Sequence, residues 1–122
     1  INHVENTTNT DKTGPGCDDS GGDNERSAWI LFDGHGVNGH LVSRFCRDRL
    51  KETWIENNFC LLRTFKALNC ELDRSPLVDV RSSGSTCIMV TLHDRNFLQV
   101  AHCGDSRAVL GRWNDSLSDD EG

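Results

Sequence analysis

The sequence predicts one small mixed α/β (α+β) domain, in which antiparallel strands carry a pair of antiparallel helices. Two observations lead to this prediction. Apolar residues recur every three to five positions through the centre of the chain, as on a helix face that packs on a core. Shorter runs rich in apolar and β-branched residues, bounded by turn residues, lie on either side of this region. A chain of 122 residues is long enough for one hydrophobic core.

The first predicted strand covers residues 28–32, a continuous apolar run that suits a strand buried on both faces. Asn38 then provides the N-cap of a helix that is predicted to run to about residue 56. A second helix with similar apolar spacing is predicted over residues 61–73. We expect these helices to form an antiparallel pair that covers the strand.

The last third of the structured region changes to a strand pattern. Residues 86–92, 97–101 and 107–110 are rich in apolar and β-branched side chains, and polar or glycine-containing turns separate them. The spacing predicts a three-stranded antiparallel meander, with its first turn at residues 93–96.

Charge divides the chain into three parts. Residues 1–27 are predicted to be an acidic, Gly/Asn-rich loop or disordered segment, and residues 113–122 an acidic tail. The net charge of −6 comes from these ends, while residues 28–112 are almost neutral. Because the basic residues are scattered, we expect no nucleic-acid partner. We also expect no membrane partner, since no apolar run approaches membrane-spanning length.

The six cysteines include no CxxC pair, which argues against a structural zinc site. Four of them lie in apolar patterns and are predicted to be buried free thiols: Cys46, Cys60, Cys87 and Cys103. Free thiols favour a reducing compartment, so we expect an intracellular protein, cytoplasmic or nuclear.

The Phe-Asp-Gly-His-Gly pentapeptide is the most informative local motif. An apolar strand delivers Asp33 at its end, where a rigidly held carboxylate can reach a hard divalent cation. Gly34 allows close backbone approach, and His35 is suited to proton transfer. Two other interpretations stay open at this point. Asp-Gly can be an ordinary turn beside a surface histidine, and His35 with His40 could form a zinc site, although the glycines oppose the necessary helix.

Two further motifs are individually ordinary. Gly-Asp-Ser-Arg at residues 104–107 has the composition of a turn, and Ser-Gly-Ser-Thr at residues 83–86 that of a strand-entry turn. In this order, however, the three motifs resemble the type 2C metal-dependent protein serine/threonine phosphatases. The resemblance covers residues 28–112. It implies a partial α/β/α sandwich of antiparallel sheets with flanking antiparallel helices, and a phosphoprotein substrate.

The same resemblance implies two Mg²⁺ or Mn²⁺ ions, with a third possible, and a role for each matching residue. Asp33 would be a catalytic residue that bridges both metals, and the Gly34 carbonyl would contribute to one of them. His35 would be the general acid, and Asp105 would lie near the third ion. The remaining motif residues are expected to be structural: Ser85, Thr86, Ser106 and Arg107.

The sequence also departs from the family pattern. Nothing in residues 1–27 matches the family's phosphate-binding Arg or its upstream acidic metal ligand, and no counterpart of its two later metal aspartates occurs up to Gly122. We therefore expect that this chain alone lacks most of the metal cage and is inactive or weakly active. Alternatively, it belongs to a pseudophosphatase that acts as a protein-binding module. Exposed strands could also make the chain self-associate.

Overall fold

The computed structural model describes residues 5–7 and 26–113 of the chain. Within these residues it contains six strands and two helices, and it confirms the mixed α/β class. The elements are β1 (Glu5–Thr7), β2 (Arg26–Leu31), β3 (Gly34–Gly36), α1 (Gly39–Glu56), α2 (Leu61–Arg74), β4 (Ser83–Ser85), β5 (Cys87–His93) and β6 (Phe97–Cys103).

Four of the strands form one antiparallel sheet in the order β1-β6-β5-β2. The predicted turn between β5 and β6 is confirmed, and the Asn96 N–H donates to the His93 carbonyl at 3.1 Å. Asp94 and Arg95 are the central residues of this turn and have φ values of 50° and 60°; positive φ at both central positions is typical of type I′ turns. The short strands β3 and β4 pair with each other in a separate ribbon.

The predicted helix pair is confirmed, and its ends agree with the sequence to within about one residue. Polar contacts join the two helices. Arg49 Nε lies 2.8 Å from a Glu71 carboxylate oxygen, and the Thr53 hydroxyl donates to the other oxygen at 3.1 Å. Asn38 occupies the N-cap position of α1, but its side chain makes no cap bond and donates instead to the Asp79 carbonyl at 3.1 Å.

The core lies between the helix pair and one face of the four-stranded sheet. Met89 on β5 and Ala101 on β6 are fully buried there against Leu61 and Phe65 of α2. Burying a Met or Leu side chain stabilises a fold by roughly 1.5–3 kcal/mol, so these contacts hold the two layers together.

Strand β2 differs from the prediction of a strand buried on both faces. Among the described strands it lies at the edge of the sheet, and Trp29 and Leu31 are 57% and 54% exposed. Ala28 and Phe32 pack on the core, so alternation along the strand turns Trp29 and Leu31 to the face away from the helices. A continuous apolar run shows that both faces are apolar, but not that both are covered.

Two further strand predictions are wrong. Residues 107–110 do not form the third strand of a meander, because the outer edge of β6 pairs with β1 at Val100, Ala101 and His102. Strand β1 itself lies in a segment that the sequence predicts to be loop or disordered, and β2 also begins within that segment.

The cysteine prediction holds at three positions and is wrong at one. Cys46, Cys87 and Cys103 are free and at least partly buried, and Cys70 is a free, exposed thiol. Cys60, by contrast, is disulfide-bonded, although its side chain is buried as predicted. Apolar spacing reports burial and carries no information on bonding between sulfur atoms.

Neither helix in the described part of the chain has the length and apolar character needed to cross a membrane.

Candidate functional site

Asp33 lies in the short link between β2 and β3, and its side chain is exposed as a ligand-binding carboxylate requires. Its backbone is fixed on both sides by Thr86, the residue between β4 and β5. The Asp33 N–H donates to Thr86 Oγ1 at 3.1 Å, and the Thr86 N–H donates to the Asp33 carbonyl at 2.9 Å. The carboxylate is thus open to solvent while the peptide units on either side of it are held.

Gly34 touches the first residue of α1. A Cβ added at Gly34 would overlap the Gly39 carbonyl, and one added at Gly39 would lie 2.6 Å from the Gly34 carbonyl carbon. Real side-chain contacts do not come this close, so both positions require glycine. The close approach places the loop directly against the N-terminus of α1.

His35 is the central residue of β3 and pairs with Gly84 of β4. Its imidazole lies over that glycine, since a Cβ on Gly84 would be 2.7 Å from His35 Nε2. The ring is exposed and makes no hydrogen bond to another residue in the described part of the chain. The exposed imidazole therefore lies two residues from Asp33.

One hydrogen bond joins the Gly-Asp-Ser-Arg turn to Thr86. Ser106 Oγ lies 2.7 Å from Thr86 Oγ1, the atom that also accepts the Asp33 N–H. Asp105 is exposed beside this contact, but no described contact joins it to Asp33. All three motifs therefore meet at Thr86, which sequence reasoning assigned only a structural role.

Asp33 and Asp105 offer carboxylate oxygens, and Gly34 offers a carbonyl oxygen; these are the donors that Mg²⁺ and Mn²⁺ prefer. Among residues 5–7 and 26–113, however, no three His, Cys, Asp or Glu side chains come close enough to hold an ion. The described residues thus fit part of a metal site of the predicted type. The zinc interpretation of His35 and His40 gains no third ligand within the same residues.

A cavity of about 380 Å³ lies behind the loop, between the helix pair and the β3–β4 ribbon. His35 lines one side, and the thiols of Cys46, Cys87 and Cys103 line another. Burial raises the pKa of Cys46 to about 11 and also raises the pKa of Cys87 and of Cys103. These thiols are therefore protonated near neutral pH and are poor nucleophiles.

Sequence reasoning missed two side chains that hold the site. Thr86 joins the three motifs, and the Ser83 hydroxyl accepts the Asn38 N–H at 2.8 Å just before α1 begins. Both are hydroxyl residues at a predicted strand entry, where local hydrogen bonds are expected. Their actual partners lie about 50 residues earlier, which the sequence pattern does not show.

Comparison with known proteins agrees with this architecture. The family model described as protein phosphatase 2C matches residues 5–120, a wider range than the one on which the resemblance rested. No solved structure matches the chain. The Asp-Gly-His-Gly loop and the two other motifs, together with a family match over almost the whole chain, identify the family. The chain belongs to the protein phosphatase 2C family.

Several curated plant proteins are similar to it. The chain is 34% identical over 110 residues to "Probable protein phosphatase 2C 64" of Oryza sativa subsp. japonica, covering 77% of the chain and 25% of that protein. It is 34% identical over 99 residues to "Probable protein phosphatase 2C 72" of Arabidopsis thaliana, covering 66% and 29%. The chain thus spans between a quarter and a third of the length of these relatives.

Proposed function

We propose that this chain supplies part of the catalytic site of a metal-dependent protein serine/threonine phosphatase, which hydrolyses phosphoserine and phosphothreonine in protein substrates. The observation that carries the proposal is the held loop at Asp33. Its carboxylate is exposed at the end of a core-packed strand, its backbone is bonded on both sides to Thr86, and His35 lies two residues away.

Asp33 and the Gly34 carbonyl would hold two Mg²⁺ or Mn²⁺ ions together with ligands from outside the described residues, and Asp105 would lie at a third. Bound ions of this kind lower the pKa of water and neutralise charge on a phosphoryl group. The role of Asp33 is to keep its carboxylate at one position. The two hydrogen bonds between the Asp33 backbone and Thr86 do this before any ligand binds, which reduces the reorganisation that binding requires.

His35 is proposed to donate a proton to the departing serine or threonine oxygen. An alkoxide is a poor leaving group, so a positioned acid typically contributes 10²- to 10⁴-fold to such a step. The exposed imidazole, without a hydrogen-bond partner among the described residues, is available for this role. Gly84 leaves room for the His35 ring, because a larger residue at this position would collide with it.

The test is a phosphatase assay on the full-length protein, with a phosphothreonine peptide and with p-nitrophenyl phosphate, in Mn²⁺ or in EDTA. Activity should require the metal, and Asp33→Asn should abolish it on both substrates. His35→Ala should lower kcat on the peptide by about 10²-fold or more, but much less on p-nitrophenyl phosphate, whose leaving group needs no protonation.

Asp48→Asn is the matched control, because Asp48 is an exposed carboxylate on α1 whose ion pair within the described part of the chain is with the adjacent Arg47. It should leave both activities unchanged. Turnover in EDTA, or an active Asp33→Asn variant, would contradict the proposal.

A second candidate is a catalytically inactive family member that binds phosphoproteins without hydrolysing them. The observation that favours it is the lack of a three-ligand metal group among residues 5–7 and 26–113. The same assay separates the two functions, because this candidate would release no phosphate from either substrate in Mn²⁺.

We also propose that copies of the chain associate through β2, which lies at the edge of the described sheet and exposes Trp29 and Leu31 on the face away from the helices. Unpaired edges and exposed apolar side chains favour pairing between chains. Light scattering should show a mass that rises with concentration and that Trp29→Lys lowers; a strictly monomeric chain at high concentration would contradict this.

We propose an intracellular location, cytoplasmic or nuclear, from the free thiols of Cys46, Cys87 and Cys103. The disulfide at Cys60 opposes this part of the proposal. Imaging of the tagged full-length protein tests it directly, and secretion would overturn it.

A further inference from the structure

We propose that Thr86 is a positioning residue for metal binding: its hydroxyl fixes the peptide unit that carries Asp33, and Ser106 orients that hydroxyl. The inference rests on the proposed function, because it assigns to Thr86 a role in the metal affinity of Asp33.

The first step is the geometry at Asp33. Thr86 is the only described residue that hydrogen-bonds to both the N–H and the carbonyl of Asp33, and the two bonds measure 3.1 and 2.9 Å. The carbonyl bond uses the Thr86 backbone and would survive any substitution except proline. The N–H bond depends on the Thr86 side chain. A change at this side chain therefore releases one side of Asp33 and leaves the other side in place.

The second step is the environment of the hydroxyl. Thr86 is only 8% exposed, so water does not readily replace its oxygen as an acceptor. Its methyl side packs against Gly104, where an added Cβ would lie 2.8 Å from Thr86 Cγ2. Valine has nearly the shape of threonine, so Thr86→Val should keep this packing and remove only the hydrogen bonds.

The third step is the link to Ser106. Thr86 Oγ1 lies 2.7 Å from Ser106 Oγ, and either oxygen can be the donor. In both arrangements Thr86 Oγ1 keeps a lone pair for the Asp33 N–H. Ser106 has no described contact with Asp33 itself, so any influence on that residue must pass through Thr86. The Gly-Asp-Ser-Arg turn thereby supports the metal loop.

The experiment measures Mn²⁺ affinity by calorimetry and the exchange rate of the Asp33 amide by NMR, in the full-length protein. Thr86→Val should weaken Mn²⁺ binding by about 10-fold or more, as loss of a group that orients a metal ligand typically does. It should also accelerate exchange of the Asp33 amide in the metal-free protein. Thr86→Ser keeps the oxygen and should restore both values close to wild type.

Thr91→Val is the matched control. Thr91 is a fully buried threonine on β5 whose hydroxyl bonds to His93 at 3.0 Å, near the opposite end of the strand. The same substitution there should reduce stability without changing Mn²⁺ affinity or Asp33 exchange. A purely structural Thr86 would behave in the same way as this control, and that result would overturn the proposal.

Ser106→Ala is the milder variant if Thr86→Val does not fold. It should by itself weaken Mn²⁺ binding relative to the wild type. Where Thr86→Val does fold, the loss in Ser106→Ala should be the smaller of the two, and adding Ser106→Ala to Thr86→Val should have no further effect, because Ser106 acts through Thr86. Additive effects of the two substitutions would contradict the proposal that Ser106 acts through Thr86.

Asp33→Asn distinguishes a failure of the proposed function from a failure of the positioning role of Thr86. If it binds Mn²⁺ as wild type does, the proposed function fails. If it loses binding while both Thr86→Val and Ser106→Ala retain it, only the positioning role fails.

Discussion

The loop at Asp33 and the segment that follows Ser106 carry motifs of one family, yet the fold holds them very differently. The loop is bonded to Thr86 on two sides, and its glycine touches the start of α1. Beyond Ser106, residues 107–113 belong to no helix or strand and are exposed, with Val109 at 93% and Trp113 at 92%. Within the described residues, the rigid part of the site is therefore the one that carries the proposed bridging carboxylate.

The largest expected contrast lies between glycines in the two regions. Gly34→Ala would force a Cβ into the Gly39 carbonyl, and overpacking of this kind costs about 1–3 kcal/mol. Gly111→Ala meets nothing within 4 Å and should change stability by less than about 0.5 kcal/mol. Thermal unfolding of both variants measures the difference. Equal Tm values would mean that the loop is not pressed against α1.

Thiol reactivity extends the contrast between enclosed and open positions. At pH 7.5 a maleimide should modify exposed Cys70 on the order of 100-fold faster than Cys46, whose pKa burial raises to about 11. Cys87 should be protected for the same reason. Raising the pH should accelerate modification of Cys46, because its thiolate fraction grows about tenfold per unit below the pKa. Peptide mapping gives each rate, and similar rates at neutral pH would show that the helix–sheet interface is open.

The smallest expected effect concerns the turn before β4. The Arg81 side chain, and then its backbone N–H, lower the pKa of Asp79 to about 2 from an ordinary value of 3.8. Because the folded-state pKa is depressed, the resulting stability is present above 3.8 and is lost as the pH falls through 2. Both groups are exposed, so Asp79→Asn should lower Tm at pH 7 by less than Gly34→Ala does. The two Tm values should converge only once the pH lies well below 2; a difference that persists there would assign the effect to something other than charge.

The sequence predicts the helices well, because apolar spacing records the face that each helix buries. The end of the first strand near Asp33 was predictable because the apolar run stops there. The exposed face of β2 was not, since an apolar run does not reveal whether a second layer covers it. Residues 107–110 have the composition of a strand, but β1 occupies the position beside β6. Sequence composition does not resolve such a competition between segments.

At the site, the three motifs were predictable as a set, whereas the way in which they are joined was not. Thr86 bonds a residue 53 positions earlier and another 20 positions later. Contacts over such separations leave no periodic signal, so a residue at the centre of the arrangement resembles a simple turn threonine. The order of the motifs identified the family, and the structure identified the residue between them.

Calorimetric titration of Mn²⁺ into the full-length wild-type protein and into Asp33→Asn tests the central claim most directly. We expect binding in the wild type that the substitution abolishes, with Asp48→Asn binding as the wild type does. Equal binding by wild type and Asp33→Asn, or no binding by either, would contradict the assignment of Asp33 as the carboxylate that holds the metal.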